Sequence, residues 1–149
     1  MAEYKIVASD LDGTLLNSAG EISKENLDAM AELDSCGVAF VPATGRSFVE
    51  IPDILKENPH IRYYIHSSGA VVFDKLTEKR ISFCFPRAIS SEIFDILFNT
   101  DCHLTVRYMG KMYTSKAKMN EEAFSYYKVW GAHADLLRNV GEAIDDFED

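Results

Sequence analysis

The chain has 149 residues, of which 24 are acidic and 15 basic, giving a formal net charge of −9, and 47% of it is apolar. That balance excludes a disordered chain, and it argues against nucleic acid as a partner, because a polyanion has to be neutralised by Lys and Arg. The length suits about one domain with a core that needs no staples.

No apolar run approaches the ~18 residues of a membrane-spanning helix, and the short apolar run before Asp10 makes no signal-peptide core. The expectation is a protein that meets neither membrane nor export machinery. Cys36, Cys84 and Cys102 are odd in number, widely spaced and set among apolar neighbours, so buried free thiols in a reducing, cytoplasmic compartment are expected.

In chain order, Ile6, Val7 and Ala8 form an unbroken apolar run within residues 4–9, the pattern of a strand buried on both faces of a parallel sheet. It runs directly into Asp10, Leu11, Asp12, Gly13 and Thr14. Ser23 then suits an N-cap, Glu25 the positive first turn, and Leu27, Met30 and Leu33 a helical stripe that Gly37 ends. Residues 38–41 form a second strand that stops at Pro42, Ala43, Thr44, Gly45 and Arg46. Phe48, Ile51 and Leu55 predict a short helix before Pro59, and residues 61–65 a third strand ending in His66, Ser67, Ser68 and Gly69. Strand-helix-strand-helix-strand predicts right-handed crossovers, parallel strands and a ligand crevice beyond their carboxyl ends. Asp10 and Asp12, Thr44 to Arg46, and Ser67 to Gly69 should therefore converge.

From Ala70 the pattern changes. Residues 71–73 and 81–85 flank a turn-rich stretch and predict an antiparallel hairpin; residues 90–98 predict a helix burying Ile93, Ile96 and Leu97. Residues 103–108 and 112–115 predict a second hairpin around Met109, Gly110 and Lys111, and residues 121–130 a further helix. The expected organisation is a core over 1–69, a crossing segment over 70–85, a boundary near Pro86 and a second unit over 86–149. The acidic tail reads as a solvated end.

Two carboxylates in Asp10 and Asp12, at a strand end where Gly13 lets the chain bend, could divide nucleophilic and proton-transfer work on a phosphoryl group. Two such acids beside a phosphate call for a cation, and hard oxygen donors favour Mg²⁺. Read alone, an Asp pair could equally be an acidic turn. The run Asp10, Leu11, Asp12, Gly13, Thr14, Leu15 resembles the first signature of the haloacid dehalogenase superfamily. Followed by Ala43, Thr44, Gly45, Arg46 and then Ser68, Gly69, Ala70, it is similar to that superfamily's Cof-like branch.

The resemblance implies an α/β, Rossmann-like three-layer core with a parallel sheet and an inserted α+β cap. It also implies Mg²⁺-dependent hydrolysis of phosphomonoesters of small metabolites such as sugar phosphates, through an aspartyl-phosphate. Carried over, Asp10 is nucleophile and metal ligand, while Asp12 is acid/base and lends its backbone carbonyl to the metal. Thr44 bonds the phosphoryl oxygens and Gly45 allows close approach. For Arg46, pairing with an anionic substrate and an ordinary surface ion pair both stand.

Ser68 departs from the Asn usual in the branch and reads as structural. His60, His66, His103 and His133 show no metal-ligand spacing and read as surface or half-buried residues. The family's third-motif Lys and fourth-motif acid have no good match: Lys116 and Lys118 follow a cap-like hairpin, and residues 141–146 resemble the fourth motif without a strand before them. Branch members are about twice this length, as a core with a complete cap requires. The implied partners are a small phosphorylated metabolite and a remaining C-terminal part or partner chain. The alternative is a catalytically incomplete fragment or a degenerate phosphate-binding module. A phosphoacceptor signalling domain shares the acidic strand end but leaves Thr44 to Arg46 and the second half unexplained.

Overall fold

In the computed structural model, which describes residues 4–100, 105–108 and 111–114, strands β1 (Ile6–Ser9) and β2 (Ala39–Pro42) pair in parallel. Ile6 lies opposite Ala39 and Ser9 opposite Pro42. Helix α1 (Lys24–Ser35) makes the crossover. Ser23 caps it, its hydroxyl accepting the Asn26 N–H at 3.2 Å, and Gly37 leaves it at φ 71°. Met30 is buried and Leu27 and Leu33 pack beside it, as the helical stripe predicts.

The expectation that β1 is covered on both faces does not hold. Ile6 is 62% exposed and β1 pairs with β2 alone among the described residues, whereas Phe40 and Val41 of β2 are buried. An apolar run reports what a strand can bury, not what covers it.

The segment bearing Phe48, Ile51 and Leu55 is not one helix. Pro52 lacks an N–H and biases Ile51 towards extended backbone, so a 3₁₀ turn over Phe48–Glu50 is followed by α2, a single turn over Asp53–Lys56. Its end is held by Lys75, whose ammonium donates to the carbonyls of Lys56 and Asn58 at 3.1 and 2.7 Å.

The third strand is also revised. β3 (Tyr63–His66) starts two residues later than expected and runs antiparallel to β4 (Val71–Asp74), which pairs antiparallel with β5 (Lys79–Ser82). Its parallel link to β2 is one bridge, Ala43 opposite Ile65, closed by the Thr44 N–H donating to the Ile65 carbonyl at 3.0 Å. The β4–β5 hairpin thus extends β3 with antiparallel strands. The predicted parallel order of β1, β2 and β3 holds, and it brings their carboxyl ends to one edge.

The core gathers Leu11, Leu16, Met30, Phe40, Ile51, Leu55, Ile61, Tyr64 and Phe73. Phe48 stands edge-on to Tyr64 and Phe73, with centroids 5.3 and 4.8 Å apart. Tyr64 is wholly buried, which pushes its phenol up to about 12, and its hydroxyl donates to the Leu55 carbonyl at 2.8 Å. Removing that donor in Tyr64→Phe strands a buried acceptor, so urea denaturation should show a loss of about 1 kcal/mol.

The chain divides into two compact units, Met1–Phe83 and Cys84–Asp149. In the second, α3 (Arg87–Phe98) begins three residues before the predicted start, following Pro86, whose fixed φ suits a helix entry. Strands β6 (Thr105–Tyr108) and β7 (Lys111–Thr114) form the expected hairpin. Of the predicted buried face of α3, Leu97 is half-buried while Ile93 and Ile96 are exposed, Ile96 by 67%. Periodicity defines a face without supplying its cover. Cys36 and Cys84 are likewise exposed rather than buried, the first at the C-cap of α1 and the second just past β5. The predicted helix over 121–130, Cys102, His103, His133, Lys116, Lys118 and residues 141–146 lie outside the described residues. No helix among the described residues is long and apolar enough to cross a membrane.

Candidate active site

The parallel register carries the chemistry-bearing residues to one edge. The Ala43 N–H donates to the Ser9 carbonyl at 2.8 Å, so Asp10 leaves β1 where Ala43 and Thr44 leave β2, and the Ala43–Ile65 bridge brings in the end of β3. Leu11 turns wholly inward as part of the core while Asp10 and Asp12 on either side remain exposed. The bend comes after them: Gly13 at φ 74° turns the chain, and Leu16 returns its N–H to the Leu11 carbonyl at 2.8 Å.

The two acids differ in their surroundings. Asp10 has no side-chain partner among the described residues, leaving its carboxylate open to solvent at the strand end. Asp12 is gripped by Arg46 in a two-pronged pair, Nε to Oδ2 at 2.9 Å and Nη2 to Oδ1 at 2.6 Å. The third arm of the guanidinium, Nη1, donates to the Glu50 carbonyl at 2.9 Å. Arg46 is only 15% exposed and Asp12 37%. Arg46 thus makes an ion pair, and its partner is the proposed acid/base rather than a neighbour without chemistry.

Thr44 is buried, with its hydroxyl accepting the Arg46 N–H at 3.1 Å, so the hydroxyl keeps its own proton for donation. At Gly45 an added Cβ would meet Ser68 Oγ at 3.5 Å, an ordinary contact. The protein alone therefore does not require glycine at that position. Ser67 and Ser68 close on the same loop, donating their N–H groups to the carbonyls of Arg46 at 2.7 Å and Thr44 at 3.2 Å. Of the predicted convergence of Asp10 and Asp12, Thr44 to Arg46 and Ser67 to Gly69, direct bonds join Asp12, Arg46, Thr44, Ser67 and Ser68.

His66 is not the surface or half-buried residue expected. It is wholly buried, tilted against Phe48 with centroids 5.8 Å apart; Nδ1 lies 3.1 Å from Ser67 Oγ and Nε2 has no partner among the described residues. Burial, and then the nearby Arg80 charge, lower its pKa below the ordinary value of 6.5. The unfolded chain takes up a proton there that the folded chain resists, so stability present above pH 6.5 falls as the pH is lowered. Thermal midpoints should decline on acidification for the native sequence, and that decline should be shallower in His66→Gln. The sequence signal for His66 was its place at a strand end, with nothing to announce its burial. Likewise His60, half-buried, pairs with Asp34 at 2.8 Å, away from the strand ends.

An acidic strand end beside a hydroxyl-bearing loop on an α/β fold defines a candidate site for phosphate chemistry. The chain belongs to the haloacid dehalogenase-like hydrolases, whose family model matches residues 7–145. Among curated proteins it is 37% identical over 70 residues to the phosphatase YwpJ of Bacillus subtilis, covering 47% of this chain and 25% of that protein. It is 24% identical over 133 residues to the HMP-PP phosphatase of Serratia proteamaculans, covering 89% of this chain and 48% of that one. A solved haloacid dehalogenase-like hydrolase from B. subtilis shares the fold, with a TM-score of 0.69 and 24% identity over 91% of this chain and 49% of its own. The chain therefore spans about half, or less, of the length of these relatives.

Proposed function

We propose that the protein to which this chain contributes hydrolyses phosphomonoesters of small metabolites, with Asp10 as nucleophile and Asp12 as general acid and then base. The observation that carries this reading is the unequal environment of the two acids. Among the described residues Asp10 has no side-chain partner and is open to an incoming phosphoryl group, whereas Asp12 is oriented by Arg46. Attack by the Asp10 carboxylate forms an acyl-phosphate as the ester bond breaks, while Asp12, having taken up a proton from solvent in place of one Arg46 hydrogen bond, passes it to the leaving oxygen. Asp12 then draws a proton from the water that hydrolyses the acyl-phosphate. The Thr44 hydroxyl would donate to a phosphoryl oxygen, and Gly45 leaves room for that group to approach.

The donor set at this edge, the Asp10 carboxylate and the Asp12 backbone carbonyl, is hard oxygen. No group of three or more His, Cys, Asp or Glu is placed to hold an ion among the described residues. A hard-oxygen donor set suits Mg²⁺, which binds through one or two carboxylates and otherwise through water and phosphate; it would offset the charge of acid and ester. Similarity to phosphatases supports the reaction class, and sugar phosphates are the proposed substrate class. The test is release of inorganic phosphate from a panel of phosphate esters with Mg²⁺, with and without chelator, by the 149-residue chain and by any longer protein that contains it. Chelator-sensitive release supports the proposal. Absence of release from every form across the panel overturns it.

A further inference from the structure

The turn after β3 is held in a conformation that two of its residues resist. Ser67, Ser68 and Gly69 have φ values of 53°, 56° and 86°, three successive left-handed residues of which glycine alone adopts that region freely. Such conformations persist only where the surrounding structure over-determines them, and they concentrate at functional sites. Here the surroundings are explicit. The turn closes on itself through the Gly69 N–H to the His66 carbonyl at 3.2 Å and the Ala70 N–H to the Ser67 carbonyl at 3.1 Å. It is backed by the buried His66 ring, Nδ1 against Ser67 Oγ.

The consequence lies in the two remaining amides. In extended backbone the N–H groups of adjacent residues point to opposite edges of a strand. In the left-handed turn those of Ser67 and Ser68 both reach the same loop, at the carbonyls of Arg46 and Thr44. Inside that loop the Arg46 N–H is already held by Thr44 Oγ1. Both ends of the loop are therefore fixed, and from it the Arg46 side chain extends to Asp12.

We infer that Ser67 and Ser68 are positioning residues: their strained left-handed turn holds Thr44 and Arg46 by the backbone and so aims the Arg46 guanidinium at the Asp12 carboxylate. The importance of aiming Asp12 rests on the proposed hydrolysis, but the coupling concerns only this chain's own atoms and can be read without turnover.

The test is a substitution series at Ser68 in the 149-residue chain with ¹⁵N-labelled arginine. It follows solvent exchange of the Arg46 Nε–H, which in the native chain donates to Asp12 Oδ2. A β-branched residue tolerates positive φ worst, alanine poorly, and asparagine and glycine well. Exchange should accelerate by roughly tenfold in Ser68→Val and by a smaller factor in Ser68→Ala, and remain at or below the native rate in Ser68→Asn and Ser68→Gly. If Ser68→Val does not fold, the order of Ala against Asn and Gly decides the matter. Exchange that tracks the left-handed cost supports the inference. Thermal midpoints that shift along the series while Arg46 exchange stays native would make the turn merely structural and overturn it. A chain that passes this test yet belongs to a protein releasing no phosphate would sink the proposed reaction and leave the coupling standing.

Discussion

Asp10→Asn should abolish phosphate release, lowering kcat by on the order of 10³-fold or more, while leaving the folding transition within about 0.5 kcal/mol of the native chain. The two halves of this expectation have one cause. The Asp10 carboxylate is exposed and has no side-chain partner among the described residues, so an amide of the same shape removes no native contact. It does remove the nucleophile. Urea denaturation and an initial-rate assay on the same preparation separate the two effects. Loss of activity together with loss of fold would mean that Asp10 is structural. Full activity would remove it from the chemistry altogether. Acid quenching of the active form should trap a phosphorylated protein that the Asn variant does not yield, which distinguishes covalent attack from simple binding.

How much of this was legible in the sequence depended on the range of the interaction responsible. The helix from Ser23 to Gly37 was readable because its cap, stripe and stop are local, each set within a few residues. The alignment of Asp10 with Thr44 was readable because parallel strands impose it. Elsewhere the deciding contacts are distant. β1 looks like a central strand, yet what flanks it is set by topology. β3 reads as one more parallel strand and does meet β2 in parallel, but its other edge is taken antiparallel by β4 after the turn at Ser67 and Ser68. Pro52 breaks the helix that three apolar residues at helical spacing predict. The Arg46 guanidinium is the instructive case. Its partner Asp12 lies 34 residues away, and composition or spacing could not choose between a substrate anion and this carboxylate.

That pairing makes the second large expectation specific. Arg46→Lys keeps the positive charge but replaces a planar fork with a single ammonium, which cannot hold both Asp12 oxygens and the Glu50 carbonyl in fixed directions. If Arg46 anchored the substrate, the substitution would chiefly raise KM, and retained charge would preserve part of the binding. If it orients the acid/base, kcat should fall by roughly 10²-fold, within the range that a well-placed proton donor contributes, with KM little changed. Stability should drop by about 1–3 kcal/mol, since charged hydrogen bonds at a largely covered guanidinium are lost together. The KM-against-kcat split is the decisive readout: a fold-stable Arg46→Lys protein with raised KM and native kcat would return Arg46 to the substrate and leave the orientation of Asp12 to other groups.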